Sequence, residues 1–202
     1  MLFDELLEKD NFSDAVEALA RDKREELDLP PIHQLGLVVP DAVAAAKDLE
    51  ARGIGPFFIA SGAPVLWRER GEEIKFKGKL GMSYYKGIEL ELLEPGQGSD
   101  FYRRRLDPEG RIVVQHLGML AEDVDKWAVP LVSQGYPIYV RGCIKTGPMT
   151  TDFAYMDTEE SAGFVLEFIS WKVFGRNMGP PARFMNAIAR LQKLTGLRTL
   201  PA

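Results

Sequence analysis

The 202-residue sequence contains a single cysteine, Cys143, and only two histidines, His33 and His116. One thiol cannot close an internal disulfide or build a cysteine-ligated zinc site, and nothing beside Cys143 points to an activated thiolate. No apolar run approaches the ~18 residues of a membrane helix. The first residues, MLFDELLEKDNF, lack the basic-then-apolar order of a signal peptide. Positive charge is also in deficit: the net charge is −5 and the pI near 5.2, which argues against the basic face of a nucleic-acid binder. The expectation is a soluble, cytoplasmic protein with neither nucleic acid nor membrane as partner. With 46% hydrophobic and 27% charged residues, the chain has ordinary globular composition. It fits one domain, or two small modules sharing a core.

Residues 1–30 read as a helical extension. Ser13 is placed to cap DAVEALARDKREEL, and Pro30 and Pro31 end the segment. Residues 31–98 then give a strand (HQLGLVV) and a helix (DAVAAAKDLEARG) with Asp41 as cap and Gly53 as stop. A strand over 56–60 and a polar loop carrying Trp67, Arg68 and Arg70 follow. Strands near 79–85 and 87–93 meet at the turn Lys86-Gly87. Residues 99–110 read as a linker with a helical turn. Residues 111–172 repeat the order: VVQHLGML, a helix EDVDKWAVPLVSQG with an interior Pro130, then YPIYV, TDFAYMDT and GFVLEFISW. Residues 173–202 form a tail with a helix over 179–196. Gly36 and Gly118, Asp41 and Asp123, and Gly53 and Gly135 are each 82 positions apart. This points to a duplicated βαβββ module.

Alternation on the strands sorts the chemistry-bearing residues. Leu35, Leu37 and Val39 share one face, and Gln34, Gly36 and Val38 the other. The more apolar face should pack on the helix. In the second module Leu117 and Met119 form the matching face, which leaves His116 and Gly118 opposite. Gln34 and His116 are thus equivalent positions at the 82-residue offset. His33 falls at the rim and is the alternative ligand if a bulge reverses the alternation. In the last strand of each module, Glu91 (with Glu89 on the same face) and Glu167 alternate with apolar residues. A carboxylate on an apolar face is costly unless paired or metal-bound. Gln34, Glu91, His116 and Glu167 together offer one nitrogen and three oxygen donors, a set that suits zinc, manganese, nickel, cobalt or magnesium. Phe57, Trp67, Tyr84 and Tyr155 lie on or near the sheet strands and are candidate substrate contacts if they line a concave face. The apolar stripes of the extension and tail should cover the sheet or a subunit interface.

The segments HQLGLVVPD, GIGPFF, ELELLEP, QHLGMLAEDVD, FAYMDT and GFVLEFI, spanning about residues 32–170, resemble the vicinal oxygen chelate superfamily. That superfamily includes glyoxalases, methylmalonyl-CoA epimerases, extradiol dioxygenases and antibiotic-resistance binding proteins. The resemblance implies an α+β fold in which two tandem βαβββ modules form an open, barrel-like mixed sheet around one divalent metal ion. It maps the family's four ligands onto Gln34, Glu91, His116 and Glu167, with Glu89 as the fallback for Glu91. It implies a glyoxalase-like lyase or isomerase that moves a proton next to a carbonyl, through an enolate held on the metal. Glu167 is the expected acid/base, with Glu91 second. The substrate would carry two adjacent oxygens and the protein would be a homodimer. The alternatives are a non-catalytic small-molecule binding protein and an extradiol dioxygenase. The latter needs two histidine ligands, which requires both His33 and His116 to point inward. A two-base epimerase needs a second acid on the strand KLGMSYYKG, which has none between Leu80 and Tyr85. Arg68, Arg70, Arg103, Arg104 or Arg105 are the basic residues that glutathione carboxylates would require.

Overall fold

The structure, a computed structural model, describes residues 1–179, 181–195 and 200–201. Three short helices open it: α1 (Phe3–Leu7), α2 (Phe12–Glu17) and α3 (Arg21–Glu26). Asn11 rather than Ser13 caps α2, accepting from the Ser13 and Asp14 backbone N–H groups. Starting the helix at Phe12 puts Phe12 and Val16 one above the other on a single buried stripe. Ser13 instead donates its hydroxyl to the Lys86 carbonyl, tying the segment to the turn between two strands.

The first module contains β1 (Gln34–Val38), α4 (Ala42–Ala51), β2 (Phe58–Gly62), β3 (Leu66–Glu69), β4 (Glu72–Glu73), β5 (Lys77–Tyr85) and β6 (Ile88–Gln97). Asp41 caps α4 through the Val43 and Ala44 N–H groups at 2.8 and 3.0 Å. Gly53 ends it at φ 82, a conformation that other residues adopt at a cost. A 3-10 turn covers Arg103–Arg105 in the linker. The second module contains β7 (Val113–Leu120), α5 (Val124–Ser133), β8 (Ile138–Thr146), β9 (Met149–Met156), α6 (Glu159–Ala162) and β10 (Val165–Val173). Then come β11 (Arg176–Asn177), α7 (Ala182–Thr195) and β12 (Leu200–Pro201). The tail helix expected over 179–196 is thus α7; residues 180 and 196 lie outside the described residues.

The strands form one mixed sheet in the order β12-β2-β5-β6-β1-β7-β10-β9-β8-β3-β4, with β11 on β10. In the first module β1 runs parallel to β6, and β5 and β2 follow antiparallel. In the second, β7 runs parallel to β10, and β9 and β8 follow antiparallel. The modules join through the antiparallel pair β1–β7. This is the paired βαβββ, open half-barrel arrangement expected from the resemblance. The segment read as a polar loop is different: Leu66–Glu69 is a strand that pairs with β8 of the other module, Leu66 opposite Cys143. Its Arg- and Glu-rich composition hides it, because the partner that satisfies its backbone lies in the second repeat.

One apolar cluster fills the helix side of the sheet, built on Leu35, Leu37, Leu90, Leu92, Leu117 and Phe168, all with no exposed surface. Burial of such a side chain contributes about 1.5–3 kcal/mol. Phe3, Phe12 and Val16 belong to the same cluster, so the helical extension completes the core of the first module. Phe12 meets Phe3 and Tyr85 edge to face, at 6.2 and 5.1 Å. A second cluster, including Val38, Trp67, Leu93, Val140 and Phe153, lies on the other face. On the outer side of β2, Gln192 of α7 donates to the Ile59 carbonyl at 2.7 Å and accepts from the Ile59 N–H at 2.8 Å, one residue before the short pairing with β12 begins at Ala60. Phe12→Ala should therefore cost about 3–5 kcal/mol, read as a lowered midpoint in chemical denaturation. A midpoint equal to wild type would show the extension to be a detachable appendage.

Candidate functional site

The β1–β7 pairing sets Gln34 opposite Gly118 and Gly36 opposite His116. Each donor therefore lies across from a glycine of the other module. A Cβ built on Gly36 would fall inside the His116 ring, and one on Gly118 would lie 2.8 Å from Gln34 Oε1. The two glycines shared at the 82-residue offset are thus the space that lets the two side chains lie flat across the seam. The register skips Gln115 between Gly36 and Leu37. This irregularity of the bulge type leaves Gln115 with its side chain beside His116, and such features recur where a strand must re-aim a side chain.

His116 is fully buried. Its Nδ1 lies 2.8 Å from Gln115 Oε1, and the tautomer that donates from Nδ1 to this shorter contact presents the Nε2 lone pair to the other groups. Nε2 faces Gln34 Oε1 at 3.2 Å, Glu167 Oε2 at 3.1 Å and Glu91 Oε2 at 3.6 Å. Gln34 is held with its oxygen toward the site because its Nε2 donates to Glu89 Oε1 at 2.6 Å. Glu89 has no exposed surface and also accepts from the Tyr84 hydroxyl at 2.5 Å. Glu167 Oε2 is buried and has no hydrogen-bond partner.

Four electron-pair donors therefore converge with no hydrogen between them when the carboxyls are ionised. The electrostatics register this conflict. Burial pushes the Glu91 carboxyl up to about 8 and Glu89 up to about 7, each raised further by the Glu167 charge. Burial holds Glu167 well above the usual carboxylate range, offset in part by the Tyr155 hydroxyl. Burial also lowers His116 to about 4, against the pull of Glu91. The neutral imidazole and carboxyls that hold protons near neutrality are a set that a divalent cation would convert to ligands. Ligands at roughly 2.0–2.2 Å from an ion stand about 2.8–3.6 Å from one another, octahedral to tetrahedral, a range that holds the three separations from Nε2. Among the described residues no three His, Cys, Asp or Glu side chains yet surround a common point that would hold an ion; the oxygens radiate from Nε2. The donor types fit a divalent metal, and rotation of the carboxylates would be needed to close the cage.

Below these groups lies a cavity of ≈ 150 Å³ reached by Gln34, Glu91 and Glu167, with Trp67, Phe153 and Tyr155 among its walls. Its lining follows strand alternation: Phe58, Ala60 and Gly62 on β2, Leu80 and Met82 on β5, and Thr151, Phe153 and Tyr155 on β9. Of the four aromatic candidates, Trp67 and Tyr155 line the cavity. Phe57 does not: it is buried in the helix-side cluster, immediately before β2, where alternation gives Phe58 and not Phe57 the cavity face. Tyr84 is also absent from the lining, since its hydroxyl is committed to Glu89. His33 keeps 27% of its side chain exposed, with Nε2 4.0 Å from Glu89 Oε2 and its ring against Trp171. It is not among the groups gathered at His116 Nε2. Glu89 acts differently from a fallback ligand, because both its oxygens are engaged by Gln34 and Tyr84. Gln115, Tyr102 and Glu89 are the site residues that strand reading missed or mis-assigned. Tyr102 comes from the linker and pairs its hydroxyl with that of Tyr155 at 3.0 Å, which no periodicity in the linker signals.

No protein-family model matches the chain, and no curated protein matches it. Solved structures do. A Streptomyces coelicolor methylmalonyl-CoA epimerase in complex with 2-nitronate-propionyl-CoA superposes with a TM-score of 0.45 at 17% identity, over 70% of this chain and 96% of that one. A methylmalonyl-CoA epimerase from Mycobacterium tuberculosis gives 0.44 at 16%, over 68% and 85%. A hypothetical protein from Bacillus halodurans C-125 gives 0.43 at 12%, over 72% and 97%.

The raised carboxyls fix the sign of a pH effect in metal-free protein. In the unfolded chain they ionise near 4.5, whereas Glu89 and Glu91 hold their protons to about 7 and 8 when folded. Their stabilising contribution is complete below 4.5 and is lost as pH rises through 7 to 8. His116, lowered from 6.5 to about 4, contributes stability that is present above 6.5 and lost as pH falls toward 4. The two trends oppose each other between 4.5 and 6.5. Above 6.5 the carboxyls act alone, so chelator-treated protein should lose Tm between pH 6.5 and 8, and Glu91→Gln should flatten the decline. A Tm that rises over that interval would contradict the assignment.

Proposed function

We propose that this chain binds one divalent metal ion through Gln34, Glu91, His116 and Glu167 and catalyses proton transfer next to a carbonyl in a small substrate with two adjacent oxygens. It would be a lyase or isomerase of the glyoxalase-like class. The observation that carries this reading is the lone pair of His116 Nε2 facing three oxygens at 3.1–3.6 Å in a buried pocket. Bound there, the ion would supply Lewis acidity that lowers the barrier to removing a proton from carbon beside a carbonyl.

The protein's own groups divide the remaining work. Gln115 fixes the His116 tautomer, so that Nε2 and not Nδ1 faces the cavity. Glu89 turns Gln34 so that its oxygen, not its nitrogen, enters the site. Glu167 is the proton carrier of choice: it lines the cavity, and its buried Oε2, 3.1 Å from His116 Nε2, has no hydrogen-bond partner. Glu91 is the second candidate. An acid/base works best with a pKa near the working pH, and burial moves both carboxyls in that direction. The apolar walls exclude water from the face where the proton would move.

A second reading is favoured by the size of the apolar surface: a protein that holds an apolar molecule without transforming it. Metal content separates the two. Purified wild type should carry, or take up, about one divalent ion per chain. His116→Ala and Glu167→Ala should each lower metal affinity by at least tenfold, and His33→Ala should leave it unchanged. Wild type that stays metal-free after reconstitution with zinc, manganese, nickel and cobalt would leave only the binding protein.

A further inference from the structure

The resemblance leads to substrates with charged carriers, such as glutathione conjugates or acyl-CoA esters, and the chain has five arginines that the sequence offered for them. None of the five lines the cavity. Arg68 pairs with Glu73 at 2.7 Å, Arg70 with Asp157 at 3.7 Å and Arg103 with Asp100 at 3.4 Å. Arg104 donates to the Tyr139 hydroxyl, and Arg105 pairs with Glu159. Among the described residues Lys79 is the one cation in the lining, and both oxygens of Glu94 hold its Nζ, at 2.8 and 2.9 Å. Glu94 in turn accepts from the Ala42 N–H at the start of α4. The carboxylate that neutralises Lys79 is therefore fixed in place by the fold.

What remains is a largely apolar chamber whose polar lining is Gln34, Glu91 and Glu167, the closed Lys79–Glu94 pair, and the hydroxyls of Tyr102, Thr146, Thr151 and Tyr155. Trp67 stacks on Phe76 at 4.2 Å, and Phe153 and Tyr155 meet at 5.3 Å. A Cβ on Gly142 would collide with the Phe153 ring, so that glycine exists to let the ring lie flat against the sheet. Met82 and Met149 complete the walls and supply adaptable thioether surface. A charge placed here without a partner would be strongly disfavoured. An apolar cavity of about 150 Å³ accommodates one benzene ring, and this one measures ≈ 150 Å³.

From this we infer that the site selects a ligand whose part remote from Gln34, Glu91 and Glu167 is an uncharged, apolar group the size of a single ring. The inference rests on the proposed metal site for the position of the ligand's two oxygens. It does not rest on it for the nature of the tail. Glutathione and acyl-CoA carriers would have to leave their charges outside the chamber, where the structure offers the cavity's own cation only in a closed ion pair.

The test uses a matched pair: 1-phenyl-1,2-propanedione and the same diketone carrying a para-carboxylate on its ring. Binding is read by quenching of tryptophan fluorescence, since Trp67 and Trp171 line the cavity, in chelator-treated protein and after loading with Mn²⁺. The neutral diketone should bind in both states, at least tenfold more tightly than the carboxylate, and manganese should tighten it further. Ala60→Phe, which fills the chamber, should weaken the neutral diketone at least tenfold. Equal or better binding of the carboxylate overturns the inference, as does failure of the neutral diketone in both states, or full retention of its binding in a folded Ala60→Phe protein. Binding of the neutral diketone that manganese does not change supports the apolar chamber while contradicting the proposed metal site, so the two failures are distinguishable.

Discussion

The antiparallel pairing of β1 with β7 is the constraint on which the rest depends. It brings residue 34 of one repeat against residue 118 of the other, and residue 36 against residue 116. A glycine in each crossed position gives the opposing donor its space. Because β6 and β10 flank this pair in parallel register, Glu91 falls in the row of Gly36 and His116 and Glu167 in the adjacent inward row of Gln34 and Gly118. A site with two contributors from each repeat follows from the duplication itself. No single segment of the chain contains it.

That seam separates two kinds of interior. On the helix side, leucines and phenylalanines pack without polar interruption, and the N-terminal helices complete the layer. On the concave side the sheet keeps a chamber open, with aromatic walls and a polar pole. Holding three carboxyls at that pole is costly unless each is neutral, hydrogen-bonded or bound to a cation. Glu89 is satisfied by Gln34 and Tyr84. Glu91 and Glu167 are not satisfied to the same degree. This difference divides a group that positions its neighbour from groups free to take a ligand or a proton.

Much of this was legible in the sequence because it rests on local periodicity and on the repeat. The 82-residue offset put Gln34 and His116 in equivalent positions, and alternation put Leu35, Leu37, Leu117 and Met119 on the helix side, where they lie. The misses have long-range causes. The β3 strand reads as a loop because its hydrogen-bond partner is in the other module. Phe57 reads as a wall residue because the sequence does not show that it stands just before β2, where alternation gives the cavity face to Phe58, Ala60 and Gly62 and the helix side to Phe57. Glu89 looked like an interchangeable neighbour of Glu91, since both occupy one face. Only the three-dimensional placement of Tyr84 and Gln34 tells them apart. Gln115 was invisible because the register irregularity that frees its side chain appears only when two strands are paired.

The central claim is that one histidine, and not two, faces an ion across the seam. X-ray absorption at the metal edge of zinc- or manganese-loaded protein tests it most directly. The account predicts scattering from a single imidazole in a shell otherwise of oxygen, lost in His116→Ala and unchanged in His33→Ala. A shell with two imidazoles, or one that survives without His116, would contradict it.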